Sequence, residues 1–281
     1  MALVVNTNVT SNIVQKNLSA ANKAVNNSIE RLSTGYKINK AADNAAGLAI
    51  AQGFESQSSG TMIAKDNTQH GINLLQTAEG DLDVIQENLQ RIRDLSVQAA
   101  NGTYSTAEKA MLASEARARV AEINRIATIS QFSDIKLLDS SAKDITLQVG
   151  ANTGADNQLD ISDALIAANA SALDASLNDA GIKDAFKTND GANAFISNVD
   201  NAINAVSTAR SKIGAYQNRL ESTLTSLDVR YENMASSLST IQDTDVAAEA
   251  ANLTKSQILQ NVSVSLLAQA NNNPSVALSL I

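Results

Sequence analysis

The chain has 281 residues, of which 44% are hydrophobic, 18% are charged and only 3% are aromatic, with no tryptophan, no cysteine and a single proline. An enzyme of this size normally uses more aromatic bulk to fill its core, so the composition favours long helices packed side by side over a compact catalytic domain. The net charge of −8 argues against nucleic acid as a partner, because phosphate binding needs a basic surface.

The negative charge is concentrated between Ser130 and Asp200, a stretch with eleven Asp, four Lys and no Glu or Arg. It therefore carries seven of the eight net charges, and a polar, Asp-rich segment is typical of a solvent-facing surface. The first residues lack the basic and apolar regions of a secretory signal, so export would need another route. Because no run approaches the roughly 20 apolar residues of a membrane span, we expect no membrane partner.

Apolar residues recur at helical spacing from the N-terminus onwards. A first pattern covers residues 14–32, and a second keeps its apolar residues on one helix face over residues 75–99. A shorter helix is predicted over residues 106–129. The turn residues 101–103 before it should fold the chain back antiparallel.

The middle of the chain changes texture. Residues 145–149 alternate apolar and polar, residues 150–157 are rich in turn formers, and the alternation resumes at Leu159 and Ile161. This pattern predicts a β-hairpin. The next stretch, residues 162–193, is Ala- and Asp-rich and weakly patterned, and is expected to be a short variable surface segment.

The longest pattern covers residues 199–241, where only Arg210 and Gln217 interrupt an apolar register of three and four. It predicts one continuous helix of roughly 65 Å, packed on the helix of residues 75–99. A last helix is predicted over residues 247–270, and Pro274 should prevent its continuation. The predicted fold class is mainly α: a long antiparallel helical bundle or coiled-coil rod with a small β-hairpin region.

Residues suited to catalysis or metal binding are scarce. His70 is the only histidine and nothing in the sequence pairs it with a Ser–His–Asp set, and cysteine chemistry is excluded because there is no cysteine. There is no Gly-rich phosphate loop, and the Asp spacing does not match a calcium-binding loop. We therefore predict no catalytic, cofactor or metal site and no cofactor.

Five ordered motifs at the two ends of the chain resemble the signatures of bacterial flagellins. They are Ile-Glu-Arg-Leu-Ser-Thr-Gly at 29–35, the Ala-rich block at 41–50, the block at 89–101, Ser-Gln-Ile-Leu-Gln at 256–260 and Leu-Ala-Gln-Ala-Asn at 267–271. The resemblance covers about residues 1–162 and 196–281. It implies a short form that has the D0 and D1 domains and lacks the large outer domains D2 and D3.

The resemblance also implies a division into domains. The expected segments are 1–40 as the N-terminal helix of D0, 41–161 as the N-terminal part of D1 with the hairpin, 162–193 as the variable segment, 194–248 as the C-terminal helix of D1, and 249–281 as the C-terminal helix of D0.

The implied function is structural: a secreted, extracellular subunit that polymerises with itself into the flagellar filament for motility. The implied partners are the flagellar type III export apparatus, a C-terminal export chaperone, the filament cap and the hook–filament junction proteins. Both chain ends carry apolar stripes, which in this interpretation form the inner tube of the polymer. The stripe residues are Val14, Leu18, Val25, Leu253, Ile258, Val262 and Leu266.

In the flagellin family a D1 patch is recognised by Toll-like receptor 5, and the matching residues here are Arg91, Leu95 and Glu115. Arg91 and Leu95 are four apart and so are neighbours along a helix, and Glu115 should lie on the antiparallel helix next to it. The alternative is that these residues serve only subunit packing.

Two other functions remain open at this point. A helical adaptor or secreted effector would fold alone and bind one partner, but it would not need apolar stripes at both chain ends. A hook–filament junction protein shares the terminal signatures, and the blocks around Arg31 and Arg91 favour a flagellin over it.

Overall fold

The computed structural model describes residues 7–139 and 144–278, the last six of these by their backbone only. Within this part the chain is mainly α-helical, and two helices exceed fifty residues. The helices are α1 (Val9–Thr34), α2 (Ala45–Ala100), α3 (Thr106–Ile129), α4 (Ala170–Leu173), α5 (Asp179–Ala185), α6 (Asn189–Gln242) and α7 (Val246–Leu278). The strands are β1 (Gln131–Phe132), β2 (Ile135–Lys136), β3 (Thr146–Gln148) and β4 (Gln158–Asp160).

Short polar residues set where the helices begin and end. Ser105 and Glu108 form a reciprocal capping box at the start of α3, which satisfies backbone N–H groups that have no partner inside the helix. Asn44 accepts a hydrogen bond from the Gly47 amide at 2.9 Å in the first turn of α2. Gly35 ends α1 with a φ of 78°, a left-handed conformation that glycine adopts without steric cost.

The chain divides into two compact units, one made of residues 1–58 with 233–281 and the other of residues 59–232. Helices α2 and α6 each contribute to both units. The larger unit contains the principal hydrophobic core, and the smaller contains α1 and α7.

The core of the larger unit lies along α2 and α6, as the apolar spacing predicts. All seven apolar positions identified in the second helical run are fully buried: Leu75, Ala78, Leu82, Ile85, Leu89, Ile92 and Ala99. On α6 the seam is buried or half-buried as far as Leu227, and beyond it Tyr231 is exposed and the other apolar positions are half-buried. The single continuous helix predicted over residues 199–241 is present.

The two polar interruptions of the seam have partners on α2. Arg210 pairs with Asp83 at 2.8 Å, and the Gln217 amide donates to Glu79 at 3.0 Å. A third pair joins Arg93 to Asp200 at 2.6 Å. Partner numbers rise on one helix as they fall on the other, so α2 and α6 are antiparallel. These exposed or half-buried pairs contribute little stability individually, but their positions match only one register.

The predicted β-hairpin is present as the antiparallel pair β3–β4, in which Leu147 lies opposite Leu159. It packs on α2 at Gly71, where a β-carbon would overlap the Leu147 side chain. A second hairpin, β1–β2, was not predicted. Its two-residue turn places Ser133 and Asp134 at φ of 46° and 66°, a left-handed pair that the sequence does not mark with glycine.

The weakly patterned stretch over residues 162–193 contributes to the core of the larger unit. Leu177, Ile182 and Phe186 are buried there, and the Phe186 ring meets Phe195 edge to face with 5.9 Å between centroids. This stretch therefore packs apolar side chains inward, while four of its five aspartates are exposed.

The prediction that the last helix stops before Pro274 is wrong. Helix α7 continues through Pro274 to Leu278. Proline removes one N–H donor and crowds the preceding turn, which costs most in the interior of a helix. Pro274 lies near the end of α7, where few later residues depend on the helical geometry.

The glycines of α2 provide a test of how the hairpin is accommodated. Gly80 is exposed with open space around it, so Gly80→Ala should stabilise the fold by about 0.5–1 kcal/mol through helix propensity. Gly71→Ala gains the same propensity, but its methyl group displaces Leu147, and overpacking costs about 1–3 kcal/mol. Chemical denaturation should therefore rank Gly71→Ala below Gly80→Ala. Equal stabilities would contradict the close packing of the hairpin on α2.

Candidate functional site

The smaller unit brings the two ends of the chain together as an antiparallel helix pair. Polar contacts join α1 to α7 along its length. The contacts are Asn8 Nδ2 to the Ala270 carbonyl at 2.7 Å, Ser11 Oγ to Asn271 Oδ1 at 2.8 Å, Gln260 Nε2 to Asn22 Oδ1 at 2.7 Å, and Ser28 Oγ to Glu249 Oε1 at 2.5 Å. The ladder fixes one register between the terminal helices.

Helix α7 presents small and polar side chains to α1. Its buried residues follow a spacing of seven: Glu249, Ser256, Ser263 and Ala270. The buried residues of α1 are Ala21, Val25 and Ser28. A heptad spacing keeps one line of residues facing the partner helix, and short side chains on both helices allow the backbones to approach closely. Only one of the seven, Val25, is a branched apolar residue.

Glu249 is the one charged residue buried in this pair, at 8% exposure. It accepts the hydrogen bond from Ser28 and lies 3.7 Å from the Arg31 guanidinium. A buried charge requires such partners, because an unpaired carboxylate away from water is strongly unfavourable. The three residues therefore restrict how α1 and α7 can pair near their connections to α2 and α6.

Four large apolar side chains of α7 are exposed on one face of the helix. Ile258 is 57% exposed, and Leu259, Val262 and Leu266 are about half exposed on the same face. Helix α1 adds exposed Val9 and Ile13, which share one side of that helix. We call these six residues the outer apolar surface. Exposed apolar side chains in such numbers mark a surface that associates with other molecules.

The structure divides the seven predicted stripe residues into two groups. Val25 is buried, and Val14, Leu18 and Leu253 are half-buried. Ile258, Val262 and Leu266 belong to the outer apolar surface. Sequence periodicity assigned all seven to one apolar stripe and missed the residues of α7 that face α1. These residues could have been found from their recurrence every seven positions: Glu249, Ser256, Ser263 and Ala270.

The connections to α1 and α7 run side by side. The Lys37 amide donates to the Gln242 carbonyl at 2.7 Å, and the Thr244 amide donates to the Gly35 carbonyl at 2.8 Å. The loop after α1 is closed by the Asp43 carboxylate, which accepts from the amides of Asn39 and Lys40 at 3.2 and 3.0 Å. These hydrogen bonds hold the pKa of Asp43 below its usual value.

The three residues matched to the receptor patch do not share one environment. Arg91 and Glu115 form an exposed ion pair with 2.7 Å between Nη2 and Oε1. Leu95 is fully buried in the core, although it is four residues from Arg91 on α2. The patch therefore consists of a surface pair with a buried leucine beneath it.

Other kinds of site find no support in the described residues. His70 is exposed, and no group of three or more His, Cys, Asp or Glu side chains within this part of the chain could hold a metal ion. None of the described helices has an apolar stretch long enough to cross a bilayer.

Comparison with known proteins agrees with the terminal motifs. The family model of the bacterial flagellin N-terminal helical region matches residues 5–143, and that of the C-terminal helical region matches residues 196–281. A flagellin of Halalkalibacterium halodurans is 39% identical over 99% of this chain and 100% of its own length. The flagellar filament 33 kDa core protein of Treponema phagedenis is 35% identical, also over 99% of this chain and 100% of its own length.

Among solved structures, a protein of Vibrio parahaemolyticus described as flagellar hook-associated superposes with a TM-score of 0.60. The match covers 72% of this chain and 100% of that chain, at 16% identity. This likeness concerns the fold alone.

The different environments of Arg91 and Leu95 predict different effects on stability. Arg91→Ala removes one exposed ion pair and should lower the free energy of unfolding by less than about 1 kcal/mol. Leu95→Ala leaves a cavity in the core and should cost about 2–5 kcal/mol. Thermal unfolding of the two variants measures the difference. A Leu95→Ala melting temperature equal to that of Arg91→Ala would show that Leu95 is not part of the core.

Proposed function

The chain belongs to the bacterial flagellin family, and we propose that subunits join through the outer apolar surface of α1 and α7. As a flagellin it is a structural protein and not an enzyme. It is the subunit of the flagellar filament, an extracellular part of the bacterial flagellum. The hook–filament junction alternative shares the terminal signatures, but the solved flagellar hook-associated structure is only 16% identical, whereas a flagellin is 39% identical over 99% of this chain.

The arrangement of α1 and α7 supports association through this surface. Because mainly small residues fill the space between the two helices, Ile258, Leu259, Val262 and Leu266 of α7 remain in solvent. Neighbouring subunits would cover them, and each square ångström of apolar surface removed from water contributes about 25 cal/mol. Contacts between unlike surfaces build an open helical polymer when the rotation between subunits does not close a ring.

The helix breaks support a division into the family's inner and outer domains. In this proposal residues 1–40 and 249–281 form D0, and residues 41–161 and 194–248 form D1. Helix α1 ends at Thr34 and α7 begins at Val246, each close to one of these boundaries. Residues 162–193 form a short variable segment on the filament surface, which agrees with their exposed aspartates.

The remaining partners would act on the subunit during its export and assembly. We infer export through the flagellar type III apparatus and placement by the filament cap above the hook–filament junction proteins. The exposed apolar side chains of α7 need cover until neighbours supply it. A C-terminal export chaperone that binds this helix would provide that cover.

Two adjacent residues of α7 test the polymerisation surface. Val262 and Asn261 are both exposed, but only Val262 belongs to the outer apolar surface. Val262→Asp should block or strongly weaken filament formation, because a charge would enter an apolar contact between subunits. Asn261→Asp should polymerise as the unaltered chain does. Sedimentation and electron microscopy measure the polymer, and circular dichroism confirms that both variants keep their helical content.

Removal of residues 249–281 extends this test. The truncated chain should retain a cooperative melt, since the principal core lies in residues 59–232, and it should form no filaments. An adaptor bundle would behave differently, because its terminal helix would belong to the core and its loss would lower the melting temperature sharply. Polymerisation of the truncated chain or of Val262→Asp would contradict the proposal.

We also propose that Arg91 and Glu115 form the contact pair for Toll-like receptor 5, with Leu95 as support beneath them. The support for this is their exposure on adjacent helices and their place in the block that resembles the family. The alternative role, subunit packing alone, predicts an effect on filaments and none on the receptor.

Arg91→Ala should reduce receptor activation by the monomer about tenfold or more, because exposed Arg anchors often dominate an interface. Arg93→Ala is the matched control, since Arg93 also lies on α2 and pairs with an aspartate, but on the side facing α6. A reporter assay with cells that express the receptor measures both variants. If Arg91→Ala activated the receptor at the wild-type level, the receptor contact would be contradicted and subunit packing would be the role of Arg91.

A further inference from the structure

A cavity of about 230 Å³ lies between α3 and α5 in the larger unit. Its apolar lining comes from Ala110, Ala113 and Phe186. We call it the α3–α5 cavity. Its size suits a single side chain more than a cofactor, because ligand pockets for larger molecules usually exceed about 300 Å³.

The rim of the α3–α5 cavity is basic in a chain that is acidic overall. Four cationic side chains line it: Lys109, Arg117, Lys183 and Lys187. Arg117 pairs with Asp179 and Lys187 pairs with Asp184, so two carboxylates face four cations. The rim therefore favours an apolar group that is accompanied by negative charge.

Among the cations of the rim, Lys109 contributes most to the preference for a negatively charged partner. It is only 7% exposed, and it donates a hydrogen bond to the neutral side-chain oxygen of Asn189. A buried ammonium group gains from a carboxylate placed nearby, since charges interact strongly where water is excluded.

Helix α3 also carries an exposed apolar side chain that is flanked by two carboxylates. Met111 is 70% exposed, the highest value among the exposed large apolar residues of the described chain. Glu108 and Glu115 lie three residues before and four residues after it, on the same helix face. Arg91 bonds only Oε1 of Glu115, which leaves Oε2 available for a second cation. Methionine adapts its flexible side chain to irregular cavities.

Met111 cannot fill the cavity of its own chain. It is two residues from Ala113, which places the two side chains about 160° apart around α3. Met111 and the α3–α5 cavity therefore lie on different sides of α3. Such unlike, complementary surfaces can join copies head to tail into an open polymer.

We propose that the α3–α5 cavity of one subunit receives Met111 of a neighbouring subunit, with Glu108 and Glu115 of that neighbour against the basic rim. The inference rests on the proposed function, since it requires a polymer. It names a second subunit contact, which is separate from the outer apolar surface of α1 and α7. The partner is a second copy of this chain.

Mixed polymers of single-cysteine variants test the contact, because the chain has no cysteine of its own. Met111→Cys subunits are copolymerised with Lys183→Cys subunits and treated with a short thiol-reactive crosslinker. Covalent dimers should form in the mixture and be absent when either variant polymerises alone. Lys212→Cys replaces Lys183→Cys in the matched control, since Lys212 is an exposed lysine of the same unit that lies outside the cavity.

Filling the cavity provides a second, independent measurement. Ala110 is exposed and lines the cavity, so Ala110→Phe should fill it without disturbing the core. The critical concentration for polymerisation should rise about tenfold, as expected for loss of one buried methionine side chain. Ala121→Phe, another exposed alanine of α3, should leave it unchanged.

The outcomes separate this inference from the proposed function. Filaments of normal stability from Ala110→Phe, or no dimers in the Met111→Cys and Lys183→Cys mixture, would overturn the contact while polymerisation through α1 and α7 stands. Failure of the unaltered chain to polymerise would defeat both. Val262→Asp, by contrast, acts through the terminal helices and should not prevent the larger unit from folding.

Discussion

The close approach of the two terminal helices is the constraint on which the behaviour of the chain ends depends. Helix α7 turns Glu249, Ser256, Ser263 and Ala270 towards α1, at intervals of seven residues. Short side chains leave no room for Ile258 or Leu266 in that interface, so these large residues remain in solvent. A helix pair that buried its largest side chains between its own two helices would leave little exposed apolar surface for association with other subunits. Here the pair is held in register by polar contacts while its apolar area is left for neighbours.

The larger unit is organised by the opposite principle. Its principal apolar core along α2 and α6 is buried within one chain, and the polar positions Arg210 and Gln217 have partners across the helix pair. The two units thus differ in how much of their apolar surface the single subunit can cover. A subunit with one self-sufficient unit and one that needs neighbours can remain folded before assembly and still gain free energy from assembly.

The scarcity of aromatic residues fits this design. Long helices that pack side by side fill narrow seams with Leu, Ile, Val and Ala, and they need few large rings. Two of the four phenylalanines, Phe186 and Phe195, meet where the stretch before α6 joins the core. That stretch carries aspartates to the surface, yet it also provides Lys183 and Lys187, which make the rim of the α3–α5 cavity basic. The variable middle of the chain therefore adds a feature that the terminal motifs do not specify.

The sequence by itself determined the elements whose signals are local and repeated. The apolar spacing of α2 and α6, the alternation of β3 and β4, and the terminal motifs identified the mainly helical fold and the flagellin family. It missed the β1–β2 turn, because Ser133 and Asp134 adopt left-handed conformations without a glycine to mark them. It also ended α7 too early, since the cost of Pro274 depends on its distance from the helix end.

Only the tertiary structure decided which faces of the terminal helices α1 and α7 meet a partner within the chain. Periodicity shows that Leu95 is near Arg91 and that Ile258 shares a stripe with Leu253, but it cannot show which of them is covered. Burial depends on side chains contributed by residues more than a hundred positions away, as at Ser28 and Glu249 or at Arg93 and Asp200. Sequence spacing carries no information about such distant neighbours. The division between surfaces used within the subunit and surfaces left for other subunits therefore emerges only when the chain is folded.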